Sequence, residues 1–110
     1  MMAAMNDIQA VVDRIAEAYD PERVVFFGSH ARGTATSDSD VDLLVILTFE
    51  GKPFWKSLEI TNRMNPPFAV DLLARRPDDT QRRYAQGDPL IREALDQGRV
   101  LYERRRARVD

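Results

Sequence analysis

The sequence predicts an α/β or α+β domain built around a sheet of about four strands. Three observations carry that expectation. Stretches with helical apolar spacing alternate with short β-branched and aromatic runs, and Gly, Pro and Asn clusters separate them. At 110 residues, the chain is near the size at which one core becomes self-sufficient, so residues 1–110 are read as a single domain.

The elements follow in order. Asp7 to Tyr19 (DIQAVVDRIAEAY) places Ile8, Val11, Val12, Ile15 and Tyr19 on one helical stripe, with Asn6 or Asp7 available as a cap and Pro21 as the stop. Arg23 to Phe27 (RVVFF) predicts a strand, Ser29 to Arg32 a short helix ending at Gly33, and Val41 to Leu47 a second strand after a small polar loop. Phe54 to Met64 reads as a helix that Asn65-Pro66-Pro67 terminates, and Phe68 to Ala74 as a third strand. Pro77 to Gly87 is polar and fits either a short helix or a loop. Asp88-Pro89 supplies a cap and a first-turn proline for a helix running to Gly98, and Val100 to Tyr102 a short edge strand. Residues 104–110 are expected to be a flexible basic tail. The strands VVFF and LLVIL are apolar on both alternating faces, so either helices wrap the sheet on both sides or another subunit covers one of them.

Composition narrows the function classes. The 44% hydrophobic and 31% charged content is that of an ordinary globular protein, and the absence of cysteine removes disulfides, thiolate metal sites and thiol nucleophiles. No apolar run approaches a membrane span and Met1 to Asn6 does not read as a leader, so a cytoplasmic, membrane-free protein is expected. The net charge of −2 divides unevenly. Residues 1–74 carry 6 basic and 11 acidic side chains, whereas residues 75–110 carry 10, all arginine, against 7. Those arginines suit phosphate or carboxylate partners, and equally a solvated surface.

The chemistry concentrates in Phe26 to Leu47, FFGSHARGTATSDSDVDLLVIL. In Asp40-Val41-Asp42, the i and i+2 side chains share one strand face, with Cα atoms roughly 6–7 Å apart. Paired carboxylates repel unless a cation or a shared proton separates them, and hard oxygen ligands suit Mg²⁺ or Mn²⁺. Asp71 stands inside another apolar strand, where a charge is costly without a task. Three such aspartates could serve two metal ions in phosphoryl or nucleotidyl transfer. Alternatively, Asp38, Asp40 and Asp42 only end a polar loop, but Asp71 and the Gly28-Ser29 turn would then each need a separate explanation. Three other motifs fail. Thr34-Ala35 stands where a phosphate-loop Lys-Ser/Thr belongs, and a calcium loop starting at Asp38 would put Leu43 and Phe49 where Gly and Glu are required. The Asp-x-Asp precedes its strand, opposite to the placement in phosphatases with an aspartyl nucleophile.

Gly28-Ser29, ten intervening residues, then Asp40-Val41-Asp42 resembles the signature of the DNA polymerase β-like nucleotidyltransferase superfamily. Ala31-Arg32-Gly33, Ser39-Asp40 and the terminal Gly98-x-x-Leu101-Tyr102 are similar to its smallest members, the minimal nucleotidyltransferase (MNT) family. The resemblance implies a nucleotidyltransferase fold with a small mixed sheet flanked by helices. It implies that Asp40, Asp42 and Asp71 are the catalytic, metal-binding aspartates, with Mg²⁺ (two ions) as cofactor and ATP as donor. Asp71 would also help activate the attacking hydroxyl. Gly28 and Ser29 match the turn that holds the β- and γ-phosphates. Arg32 either contacts a phosphate or packs against the carboxylates.

The function the resemblance implies is an antitoxin that transfers AMP from ATP to a hydroxyl, a tyrosine, of a HEPN-family toxin. A chain this short has no room for an acceptor-gripping domain, so the acceptor is expected on a partner, in a hetero- or homo-oligomer. The alternatives are an antitoxin that neutralises by binding alone and a nucleotidyltransferase acting on a small molecule such as an antibiotic. Direct nucleic-acid binding through Arg104 to Arg108 is disfavoured. His30 is expected to be a loop side chain, Asp38 to stay in solvent, Tyr102 to be a strand residue, and Phe54, Trp55 and Phe68 to face the core or a partner.

Overall fold

The computed structural model describes residues 3–105. Among them run five helices and four strands. These are α1 (Met5–Tyr19), β1 (Arg23–Phe27), α2 (Gly28–Arg32), β2 (Val41–Ile46), α3 (Pro53–Met64), β3 (Val70–Arg75), α4 (Pro77–Ala85), α5 (Pro89–Gln97) and β4 (Arg99–Glu103). The strand order is β3-β2-β1-β4. β1 is antiparallel to both β2 and β4, and β2 is parallel to β3, so the sheet is mixed.

Helices wrap both faces, which explains the two-sided apolar strands. On one face Val24, Phe26, Leu43, Val45, Leu72 and Ala74 pack with Ile8, Val12 and Ile15 of α1 and Ile60 and Met64 of α3. On the other, Val25, Phe27, Leu44 and Ile46 meet Ile91 and Ala94 of α5. Alternation along each strand sends successive side chains to opposite layers.

Local chemistry sets most boundaries. α1 begins earlier than the expected cap at Asn6 or Asp7: the Ala4 carbonyl accepts from the N–H groups of Asp7 and Ile8 at 3.0 and 3.1 Å, and Ala4 offers no side-chain cap. Asp7 instead lies in the first turn, where its charge meets the positive end of the helix dipole. α1 and α3 end on left-handed residues, Asp20 at φ 44° and Asn65 at φ 43°. Such short polar side chains tolerate that conformation better than most, and prolines follow both. The polar stretch from Pro77 resolves as a helix, with Pro77 in its first turn beside Asp78 and Asp79. Asp88 caps α5 as expected, its Oδ1 accepting from Leu90 and Ile91 at 3.0 and 3.2 Å.

Gly98 ends α5 for a reason invisible in the local sequence. Its backbone is extended, and an added Cβ would meet the Ala94 carbonyl oxygen at 2.3 Å and Val25 Cγ1 at 2.7 Å. Only glycine lets the chain turn so tightly from α5 into β4. Of the residues expected to form the basic tail, 106–110 lie outside the described residues. Arg104 donates from its backbone to Glu22 and from its guanidinium to the Asp20 carbonyl, at 2.9 and 3.1 Å.

Candidate functional site

The topology brings three strand ends together. β1 runs into α2 at Gly28, β2 starts beside that turn because it is antiparallel to β1, and β3 starts beside β2 because the two are parallel. The register is specific: Phe27 lies opposite Asp42, and Asp42 lies opposite Asp71. Neighbouring strands are about 4.8 Å apart, so the carboxylates of Asp42 and Asp71 are side by side on one face. Asp40 precedes β2 by one residue and shares that face by alternation, exposed to solvent.

Gly28 closes this arrangement from the other side. Its φ is +82°, and a Cβ there would stand 2.0 Å from Asp42 Oδ2. The turn is therefore pressed against the carboxylate and can be built only with glycine. Ser29 follows in the first turn of α2, and its carbonyl accepts from the Thr34 N–H at 2.9 Å.

Electrostatics mark Asp42 as the strained member. Its carboxyl is pushed up to about 6, first by burial, then by the like charges of Asp71, Asp40 and Glu93, with His30 partly offsetting them. A half-buried carboxylate among like charges is a place short of positive charge. The oxygen donors are of the kind that hard divalent cations take, and the Asp42 carboxylate fills the place where a Cβ of residue 28 would stand. Among the described residues, no three His, Asp or Glu side chains are gathered closely enough to enclose an ion by themselves. These residues fit a cation that takes further oxygens from a bound ligand.

The loop before Asp40 is built by hydroxyls. Ser39 Oγ accepts from the Thr36 N–H at 2.9 Å, the Thr36 carbonyl accepts from the Ser39 N–H at 3.0 Å, and Asp38 is exposed. His30 adds a tie from α2, with Nε2 at 3.0 Å from the Ser39 carbonyl oxygen. His30 is thus a helix side chain, where a loop side chain was expected, and it anchors the residue before Asp40.

Arg32 pairs with neither aspartate of the Asp-x-Asp. Its Nη1 donates to Glu93 Oε1 of α5 at 3.0 Å. Glu93 had no mark in the sequence. It joins the site because α5 lies over the sheet face that carries Asp42, and 61 residues separate it from its arginine. The aromatics divide: Phe54 and Trp55 are 57% and 64% exposed and stacked at 4.9 Å, whereas Phe68 packs against the core.

Asp71 opens differently from Asp42. It lines a groove of about 510 Å³ running along β3, with Pro53, Phe54 and Leu58 of α3 on one side and Arg83 of α4 on the other. Ser57 crosses the groove wall, its Oγ accepting from the Ala74 N–H at 2.8 Å and donating to the Pro53 carbonyl at 2.7 Å.

Comparisons with known proteins agree with this architecture. No curated protein sequence matches the chain. A crystal structure from Sulfolobus solfataricus assigned as a nucleotidyltransferase is similar over 70% of each chain, at 25% identity and a TM-score of 0.56. The crystal structure of a toxin-antitoxin with AMP-PNP shares the fold at 16% identity and a TM-score of 0.55, over 87% of this chain and 73% of that one. The sequence model of the nucleotidyltransferase domain matches residues 8–102. That match covers both strands of the Asp-x-Asp unit, Asp71 and all but the last residue of β4, and the chain belongs to the nucleotidyltransferase domain family.

Proposed function

We propose that this protein is a minimal nucleotidyltransferase that moves AMP from ATP to a hydroxyl, a tyrosine, on a HEPN-family toxin and thereby acts as its antitoxin. The observation that carries the chemical part is the in-register Asp42–Asp71 pair with the glycine turn pressed on Asp42. Such a pair has no structural use, since its like charges oppose folding. The biological part rests on the motif resemblance, and the toxin-antitoxin structure with the same fold was obtained with AMP-PNP, an ATP analogue, which supports ATP as donor.

In this reading Asp40, Asp42 and Asp71 would hold Mg²⁺, two ions, which supply charge neutralisation for the triphosphate and the leaving group. Gly28 and Ser29 would offer backbone N–H groups to the β- and γ-phosphates, with the Asp42 carboxylate seated where a Cβ of residue 28 would otherwise stand. Arg32, held by Glu93, would add a charge-assisted contact to the same anion. Across the sheet the order is turn, Asp42, Asp71, so the acceptor approaches from the Asp71 side. Its oxygen bonds to the α-phosphorus, the bond to the bridging oxygen breaks, pyrophosphate leaves, and Asp71 takes the hydroxyl proton. Among the described residues no helix is long and apolar enough to cross a membrane.

The test is transfer of label from α-labelled ATP, with Mg²⁺, to the protein encoded beside this one. Asp42→Asn should lower labelling by about 100-fold or more. Labelling that survives Asp42→Asn would refute the metal assignment. Toxin neutralisation that persists in a triple Asp40, Asp42 and Asp71 variant would instead establish an antitoxin that works by binding alone.

A further inference from the structure

The groove beside β3 has features that nucleotide chemistry leaves unused. β3 is an edge strand, paired only with β2. The carbonyls of Ala69 and Arg75 accept from β2 and the residue after it, so by alternation the peptide groups of Val70, Leu72 and Ala74 face the free side. Ser57 closes the Ala74 N–H, which leaves Val70 and Leu72 for a neighbouring chain. The groove is apolar in the middle, where Leu58 and Phe54 are 42% and 57% exposed, and charged at its ends.

Those ends differ in sign. Asp71 stands at one. At the other stands Arg75, whose Nη1 donates only to the neighbouring Ala74 carbonyl at 2.8 Å and which forms no ion pair among the described residues. Burial, and then the like charge of Arg83, hold the Arg75 guanidinium below its usual range. Arg83 pairs directly with Asp79 and Asp88; these two carboxylates also act on Arg75 through space and partly offset its burial, but Arg75 forms no direct ion pair among the described residues. A half-buried guanidinium beside a second arginine favours an incoming carboxylate. Asp71 and Arg75 are separated along the strand by about 13 Å, which four extended residues of an added chain also span.

We propose that the α3–β3 groove receives an extended acidic segment of the acceptor protein, laid along the free edge of β3. Its apolar side chains sit on Phe54 and Leu58, its carboxylate pairs with Arg75, and its hydroxyl residue is delivered to Asp71. This rests on the nucleotidyl-transfer reading for the purpose of delivery, but the binding itself can be measured without chemistry. Strand addition is confined to the Val70 and Leu72 peptide groups, because Ser57 of α3 covers Ala74, and beyond them side-chain contacts hold the segment.

Trp55, the only tryptophan of the chain, is stacked on the groove residue Phe54 and reports occupancy by its emission. A copolymer of glutamate and tyrosine should shift that emission saturably, at least tenfold more tightly than a copolymer of lysine and tyrosine. Leu58→Asp and Arg75→Glu should each weaken binding tenfold or more. Leu58 is exposed, so its variant should keep the wild-type circular dichroism, and the comparison then does not depend on the half-buried arginine. The assignment is overturned by no response, by equal binding of the two copolymers, or by affinity unchanged in Leu58→Asp. A Leu58-dependent response to ATP alone would place a nucleotide in the groove, and emission that changes on diluting the protein would place a second copy there; either overturns it. Groove binding without label on the partner counts against transfer alone, whereas label undiminished in Leu58→Asp counts against the groove alone.

Discussion

At Gly28 the chain has no room for a single carbon, whereas at Asp71, two strands away on the same face, the surface falls away into an open groove. In the proposed reaction the two halves do different work. The crowded half, a glycine turn against the half-buried Asp42 carboxylate, would take the highly charged triphosphate. The open half, an edge strand with exposed apolar neighbours, would give an acceptor carried by another protein its approach path. The difference also predicts how each half fails. Substitutions at the crowded half should damage folding and function together, while substitutions along the groove should spare the fold.

The largest effect is expected from Gly28→Ala, which combines a φ of +82° with a contact of 2.0 Å to Asp42 Oδ2. It should cost about 2–4 kcal/mol, read from the urea midpoint. Gly33→Ala is the control, because φ is +77° there but nothing lies within 4 Å. It should cost only about 1–2 kcal/mol. Equal losses at the two positions would mean that Asp42 yields easily and the crowding is unimportant.

Next is the charge on Asp42. Its folded carboxyl is raised to about 6 from its ordinary value of 3.8, so protonation favours the folded chain. That contribution is fully present below about 3.8 and is lost as pH rises through about 6. Asp42→Asn should therefore raise the urea midpoint of the metal-free protein at pH 8 and change it little at pH 3.5. A variant less stable than wild type at pH 8 would contradict the repulsion among Asp42, Asp71 and Asp40.

Smaller effects belong to the ties around the site. His30→Ala removes the contact to the Ser39 carbonyl, at a cost of about 1 kcal/mol, and in the proposed reaction should raise the Mg²⁺ concentration needed for half-maximal activity by loosening Asp40. Smallest is Arg32→Gln. Its pair with Glu93 is partly solvent-exposed, and the melting free energy should change by no more than about 1 kcal/mol. A larger loss would show that Arg32 packs as part of the scaffold.

Most of the scaffold was readable because its signals are local. The stripe of Ile8, Val11, Val12 and Ile15, the β-branched run of β1, the prolines after α1 and α3, and the Asp88 cap act within a few residues of the elements they shape. The polar segment over 77–85 was undecided, because its apolar content is too low to show a helical face. Its first-turn proline, its acidic start and its contact with α5 tip the balance. The start of α1 differed because a backbone carbonyl replaced the side-chain cap that Asn6 or Asp7 offered.

The sequence by itself determined which residues are proposed to carry chemistry. Alternation places Asp40 and Asp42 on one face, and its position in an apolar run singles out Asp71, although the fold leaves that side chain exposed and so without the expected burial cost. Only the tertiary structure decided that Asp42 lies opposite Asp71, that Gly28 touches Asp42, that Gly98 must be glycine, and that Glu93 holds Arg32. Each of these depends on the register between distant segments, which is chosen by how the apolar faces of β1, β2 and β3 pack together. No pattern within a single strand contains that information.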